Sequence, residues 1–251
     1  MKKNIGILFF TFLIVSCKDN YPLSYSEEVF KQEITVDCND LPCPNAELEI
    51  VLFDSKNKVS DSINKKIFEH FKEILCFEDE PYTATDYNEL LSSFLNSYKK
   101  LRNEFPDDAI GWETKGKAEI CYKNESLINI KSEYYLYTGG AHGNSGVHSF
   151  FFDLKTGKTL SKQEVLDCDK LTPFAEEKFR KAFNVKPEAN INSTGFMFEN
   201  DSFHLPETIF FTKRGIVLFY NNYEIASYAD GPQELVIPFE EAKSFLKFET
   251  N

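Results

Sequence analysis

The chain has 251 residues, 42% of them hydrophobic and 15% aromatic, and carries 28 basic against 40 acidic side chains for a formal charge of −12. That apolar content supplies a packed core and excludes a disordered chain, and the length fits one large domain or two small ones. The acidic balance, without any run of lysines, argues against nucleic acid as a partner, because such binding draws on basic patches that release counterions.

The first segment reads as an export signal: Lys2 and Lys3, an apolar stretch from Ile5 to Val15, and the small residue Ser16 at the cut. The stretch is about half of the ~20 residues a membrane-crossing helix needs, and Lys18, Asp19 and Asn20 follow at once. Leu13-Ile14-Val15-Ser16-Cys17 matches the lipobox pattern of bacterial lipoproteins. It predicts lipidation of Cys17, attachment to a membrane through that lipid, and a place in the cell envelope on the periplasmic or outer-membrane face. Several acyl chains, at about 0.8 kcal/mol per buried CH₂, make a stable anchor where one chain does not. An ordinary cysteine after an ordinary cleavage site, or a buried N-terminal strand, are the alternatives. Loss of Lys2 and Lys3 leaves 26 basic against 40 acidic side chains, a charge of −14, which favours a cationic partner or serves solubility alone.

Residues 1–16 are thus the signal peptide and 17–45 a tether, with Tyr21 to Glu33 as its polar part and a small cysteine loop after it. In Cys38-Asn-Asp-Leu-Pro-Cys43 the turn at Leu41-Pro42 brings Cys38 and Cys43 together as the favoured disulfide. Cys76, Cys121 and Cys168 leave an odd thiol, with two of the three open to pairing. No Cys-x-x-Cys pair is present and the histidines lack ligand spacing, so no metal site and no cofactor is expected.

Ala46 to Phe53 alternates as a strand, and the spacing of Ile63, Ile67, Phe68, Phe71, Ile74 and Leu75 predicts a helix over Asp61 to Leu75, capped by Ser60 or Asp61. Asp86 with Glu89 opens a second helix whose apolar residues Tyr87, Leu90, Leu91, Phe94, Leu95, Tyr98 and Leu101 form one stripe, and Pro106 ends it. Three strands follow, Trp112 to Tyr122, Ser126 to Tyr137 and Val147 to Asp153, an antiparallel meander. A tight turn with Gly157 at positive φ leads to a short helix boxed by Ser161 and Glu164. Thr172-Pro173 opens another helix running through Phe174, Phe179 and Phe183. Thr208 to Thr212 and Ile216 to Tyr220 flank the turn Lys213-Arg214-Gly215 as a hairpin, and Glu234 to Ile237 is a strand. Pro238 then opens a terminal helix carrying Phe239, Ala242, Phe245 and Leu246. Helices and antiparallel strands in blocks make the class α+β, with an N-terminal part over 46–158 and a C-terminal part over 159–251.

The segment Tyr135 to Asn144 runs a strand into three glycines around His142. It is neither a phosphate cradle nor a nucleotide fingerprint, since no Gly-x-x-x-x-Gly-Lys run or following helix start is present. No serine elbow, His-Glu-x-x-His helix or catalytic-cysteine context occurs, so no catalytic residue is assigned. His142 reads as a turn histidine. A metal shared by His142 and His148 lacks a third ligand, and a hydrolase or transferase built on His142 needs Asp153 or Glu133 as its acid partner.

Tyr137-Thr138-Gly139-Gly140-Ala141-His142-Gly143, followed by Phe152-Asp153-Leu154-Lys155-Thr156-Gly157-Lys158, resembles a paired envelope domain. That domain forms the extracellular part of RsiV-type lysozyme-receptor anti-sigma factors and precedes the catalytic domain of PdaC-type peptidoglycan deacetylases. Tyr223-Glu224-Ile225-Ala226-Ser227-Tyr228-Ala229-Asp230-Gly231, then Ile237-Pro238, is similar to the family's closing signature. The resemblance spans most of Ala46 to Leu246 and implies an α+β ectodomain that binds lysozyme or a peptidoglycan-related ligand, without implying catalysis. It makes Tyr137, Thr138, Gly139, Gly140, His142 and Gly143, with Tyr223, Glu224, Tyr228 and Gly231, the candidate binding or structural residues. A structural or assembly lipoprotein is the remaining alternative.

Overall fold

A computed structural model describes residues 23–34, 43–54, 57–76, 83–106 and 110–248. The signal, Cys17 and Cys38 lie outside these residues. Among them no helix is long and apolar enough to cross a membrane.

The chain opens with two strands, β1 (Tyr25–Glu33) and β2 (Asn45–Phe53), paired antiparallel. The polar tether expected up to Glu33 is therefore a strand over most of its length. Its sequence gives little sign of this, because the cause lies in β2: buried backbone groups need partners, and β1 supplies them along one edge of β2. Two helices follow, α1 (Lys58–Leu75) and α2 (Tyr87–Glu104). Asn57, not Ser60 or Asp61, caps α1 by accepting from the amides of Val59 and Ser60 at 3.0 Å, so the helix begins earlier than the apolar spacing suggests. Asp86 caps α2 as predicted, while Glu89 accepts from the Thr85 amide.

The meander β3 (Glu113–Lys123), β4 (Leu127–Tyr137) and β5 (Asn144–Asp153) is antiparallel as expected, and β6 (Thr159–Leu160) extends it. β2 pairs parallel with β3, so the sheet runs β1 to β6 in chain order with α1 and α2 as the crossover. Both helices pack on one face, where Leu48, Ile50, Ile63, Phe71, Leu90, Phe94, Ile130 and Phe152 form the first core.

Beyond β6, α3 (Lys162–Val165) carries the full Ser161–Glu164 capping box. The next helix, α4 (Cys168–Ala182), starts one turn before the expected Thr172-Pro173, because the Asp167 carboxylate accepts from the Lys170 amide. Pro173 thus lies inside the helix, and Thr172 Oγ1 donates to the Cys168 carbonyl. β7 (Thr208–Thr212), β8 (Gly215–Tyr220) and β9 (Gln233–Pro238) form a second antiparallel sheet. The hairpin turn is Lys213-Arg214 alone; Gly215, at φ 148°, begins β8, where a Cβ would stand 2.1 Å from the Ile237 carbonyl oxygen. The terminal helix is shorter than expected: α5 (Phe239–Ala242) gives way to a single 3₁₀ turn, and Leu246 bridges back to Leu166.

The second sheet lies on the face of the first that the helices leave open. Asn129 of β4, fully buried, accepts from the Phe211 amide of β7 at 2.8 Å while its own amide donates to Ser149 Oγ and the Phe150 carbonyl. Leu127 and Phe151 of the large sheet join Leu171, Phe179, Phe211, Leu218 and Tyr220 in the second core. Cys76 just after α1, Cys121 on β3 and Cys168 at the start of α4 form no disulfide, so the pairing left open by their number does not occur among them. Burial pushes the Cys121 thiol up to about 12, and it donates to the Asn129 carbonyl.

Candidate functional site

Strand pairing sets two rows of side chains across the open face of the large sheet. One runs Lys31, Glu47, Lys115, Tyr135, Ser145; the next runs Val29, Glu49, Lys117, Glu133, Val147. Where the second sheet ends, Phe219, Asn221, Asn222 and Pro232 rise beside these rows and enclose a groove of about 370 Å³. Its lining holds three carboxylates, Glu47, Glu49 and Glu133, against the ammonium groups of Lys115 and Lys117.

Those charges are partly spent within the fold. Lys31 holds Glu47 at 2.8 Å, Lys115 holds Glu113 at 2.7 Å, Lys117 holds Glu119 at 2.8 Å and Lys131 holds Glu133 at 3.3 Å. The Glu113 and Glu119 carboxylates raise the Lys115 and Lys117 pKa values, keeping both groups charged. Asn221 fixes the wall, accepting from the Val147 amide at 2.7 Å and donating to the Val147 carbonyl at 3.0 Å. Asn222 donates to Ser145 Oγ, and its buried carboxamide oxygen has no partner among the described residues.

The glycine loop and the closing segment, 80 or so positions apart in sequence, meet at one end of this groove. The imidazole of His142 stacks on the ring of Tyr228 with centroids 3.9 Å apart and planes 17° apart, and Tyr228 Oη donates to the Gly143 carbonyl at 3.1 Å. Tyr223, 63% exposed and at φ +68°, lies 5.7 Å from Tyr228. Gly143 abuts the groove residue Tyr135 so closely that a Cβ would come within 2.4 Å of its ring. Tyr137 Oη donates to the Gly140 carbonyl, and Gly139 and Gly140 take φ of 110° and 90°, which allow the turn after Thr138. Glu224 accepts from the Asn221 amide of its own loop and from the Glu207 amide just before β7, and Gly231 closes a 3₁₀ turn at φ 70°.

Neither acid considered for His142 stands beside it. Asp153 lies at the far end of β5, about 30 Å along the strand at ~3.3 Å per residue, where it accepts from the Lys155 and Thr156 amides. Glu133 sits mid-strand opposite Val147 with Lys131. His148 packs on the other face of the sheet against His70, their rings 4.6 Å apart, and not with His142. Among the described residues no group of three or more His, Cys, Asp or Glu side chains has metal-binding geometry.

Sequence reasoning found the two loops but missed the groove. The signal was present in the outward phase of the strands, Glu47 and Glu49 on β2 and Lys115 and Lys117 on β3, which alternate with the core residues.

Residues 160–240 match the family described as a protein of unknown function (DUF3298), and residues 39–145 match the one described as deacetylase PdaC. The chain therefore carries both segments that its motifs resemble, the PdaC-like one first. The fold is α+β and is shared with two crystal structures. One is a DUF3298 family protein from Pseudomonas aeruginosa PAO1, 19% identical over 90% of this chain and 95% of that one, with a TM-score of 0.62. The other is a member of the DUF3298 family from Bacteroides fragilis NCTC 9343, 20% identical over 90% of this chain and 94% of that one, with a TM-score of 0.69. At these identities the likeness is one of fold. No curated protein matches the chain.

Proposed function

We propose that this chain is a lipid-anchored protein of the bacterial cell envelope whose ectodomain binds its ligand without catalysis. Its recognition surface is the groove between the two sheets, and its ligand is a cationic wall-active protein such as lysozyme, or a peptidoglycan-related molecule. The observation that carries the reading is the His142–Tyr228 stack, which joins both motif segments at the end of a lined groove. The paired family segments, the lipobox ending at Cys17 and the net charge of −12 support it from the sequence. A Cys38–Cys43 disulfide belongs to the same proposal, as an oxidised clasp ahead of β2.

Full-length protein in detergent, mixed with immobilised lysozyme and with insoluble peptidoglycan at low salt, tests the reading. Retention on one of them is expected, weakened by Glu133→Lys and by Tyr228→Ala; on lysozyme it also falls with added salt. Retention on neither ends the proposal.

A further inference from the structure

β1 is the first strand of the large sheet, and among the described residues no strand lies beyond it. The Ile34 amide donates to the Pro44 carbonyl and the Asp54 amide to the Ser24 carbonyl, both in the β1–β2 register. Even-numbered residues of β1 therefore bond to β2, and Tyr25, Glu27, Val29, Lys31 and Glu33 turn their backbone N–H and C=O groups outward. The same five residues present their side chains on the open face, with Tyr25 49% and Val29 64% exposed. Such a row is a template for another strand.

We propose that β1 pairs with β1 of a second copy of this chain, antiparallel and centred on Val29, so that one sheet runs through two molecules. A two-fold axis at Val29 is the register that aligns all nine residues of the strand. It sets Tyr25 opposite Glu33, Glu27 opposite Lys31 and Val29 opposite Val29. Every one of these pairs joins outward-facing backbone groups. The Glu27–Lys31 contact occurs twice, with Lys31 held between its own Glu47 and the incoming carboxylate. Sliding the copy by two residues sets Glu27 against Glu33 in one direction and against Val29 in the other. Charges on an edge strand ordinarily repel arbitrary partners; here they select one register of one partner.

Cysteine cross-linking of the full chain in detergent reads this register. In a hydrogen-bonded antiparallel pair the Cα atoms stand about 5.5 Å apart, within disulfide reach. Val29→Cys is expected to give an oxidised dimer beyond that of the unaltered chain. Glu27→Cys and Lys31→Cys are each expected to give little alone and a cross-linked pair when mixed. In sedimentation Lys31→Glu weakens the dimer about tenfold, and Glu27→Lys with Lys31→Glu restores it, although the Lys31–Glu47 contact stays lost. A monomer at every concentration, or equal cross-linking at Val29→Cys and Lys31→Cys alone, overturns the proposal. So does a monomer that takes up an extended peptide along β1 instead.

Discussion

His70 ties the stability of the fold to pH. It is 7% exposed on α1, its ring meets His148 and Phe150 at 4.6 and 5.0 Å, and its Nε2 has no partner among the described residues. Burial first, then the charges of His148 and Lys66, lower its pKa from 6.5 to about 3, and burial lowers His148 as well. The unfolded chain thus takes up the proton first as pH falls. Stability is full above pH 6.5 and declines toward pH 3, by up to about 1.4 kcal/mol per pH unit from this group. Melting followed by circular dichroism is expected to show a drop between pH 7 and 4.5 that His70→Leu makes shallower; equal slopes in both proteins refute the assignment. Local chemistry of this kind is only half legible in sequence. Asp86 and the Ser161–Glu164 box are readable because a cap acts within three residues. Asn57 was hidden by Ser60 and Asp61, equally good caps a few positions on. His142 stands in a bend, and its partner Tyr228 is set by the tertiary fold.

Between elements, Asn129 does what no sequence pattern announces. A buried polar residue near the start of β4 satisfies the backbone of β7 and so fixes how the second sheet lies on the first. Asn129→Ala leaves the Phe211 amide buried without its acceptor and is expected to cost about 1–3 kcal/mol, measured as a lower urea midpoint with an unchanged slope. A change below a few tenths of a kcal/mol refutes that role. A strand whose outward and inward phases differ over its first half, such as β2, was legible from alternation. β1 was not, because its one-sided partner and solvent-facing side chains leave a sequence, Tyr-Ser-Glu-Glu-Val-Phe-Lys-Gln-Glu, that looks like linker. The start of α4 was displaced for a related reason: Pro173 is the stronger local signal, but Asp167 accepts from the free Lys170 amide in the first turn.

For the molecule as a whole, class and segment order were readable, since the α+β pattern and both motif stretches depend on residues close in sequence. The groove was not, because its walls come from β2, β3, β4, β5 and the loop around Asn221. The proposed anchor carries its own test: Cys17→Ser is expected to shift the protein from the membrane fraction to the soluble one and to abolish labelling by a fatty-acid analogue. Unchanged membrane recovery and labelling refute it. The parallel union of β2 with β3 also bears on how the chain is made. Residues 54–112 separate the two strands, so in a chain that emerges N-terminus first, across the membrane on the proposed export route, β2 is exposed before its neighbour arrives. Until then the apolar flank of β2 that β3 covers lies open in the emerging polypeptide, and a holding chaperone during biogenesis has its natural point of engagement there.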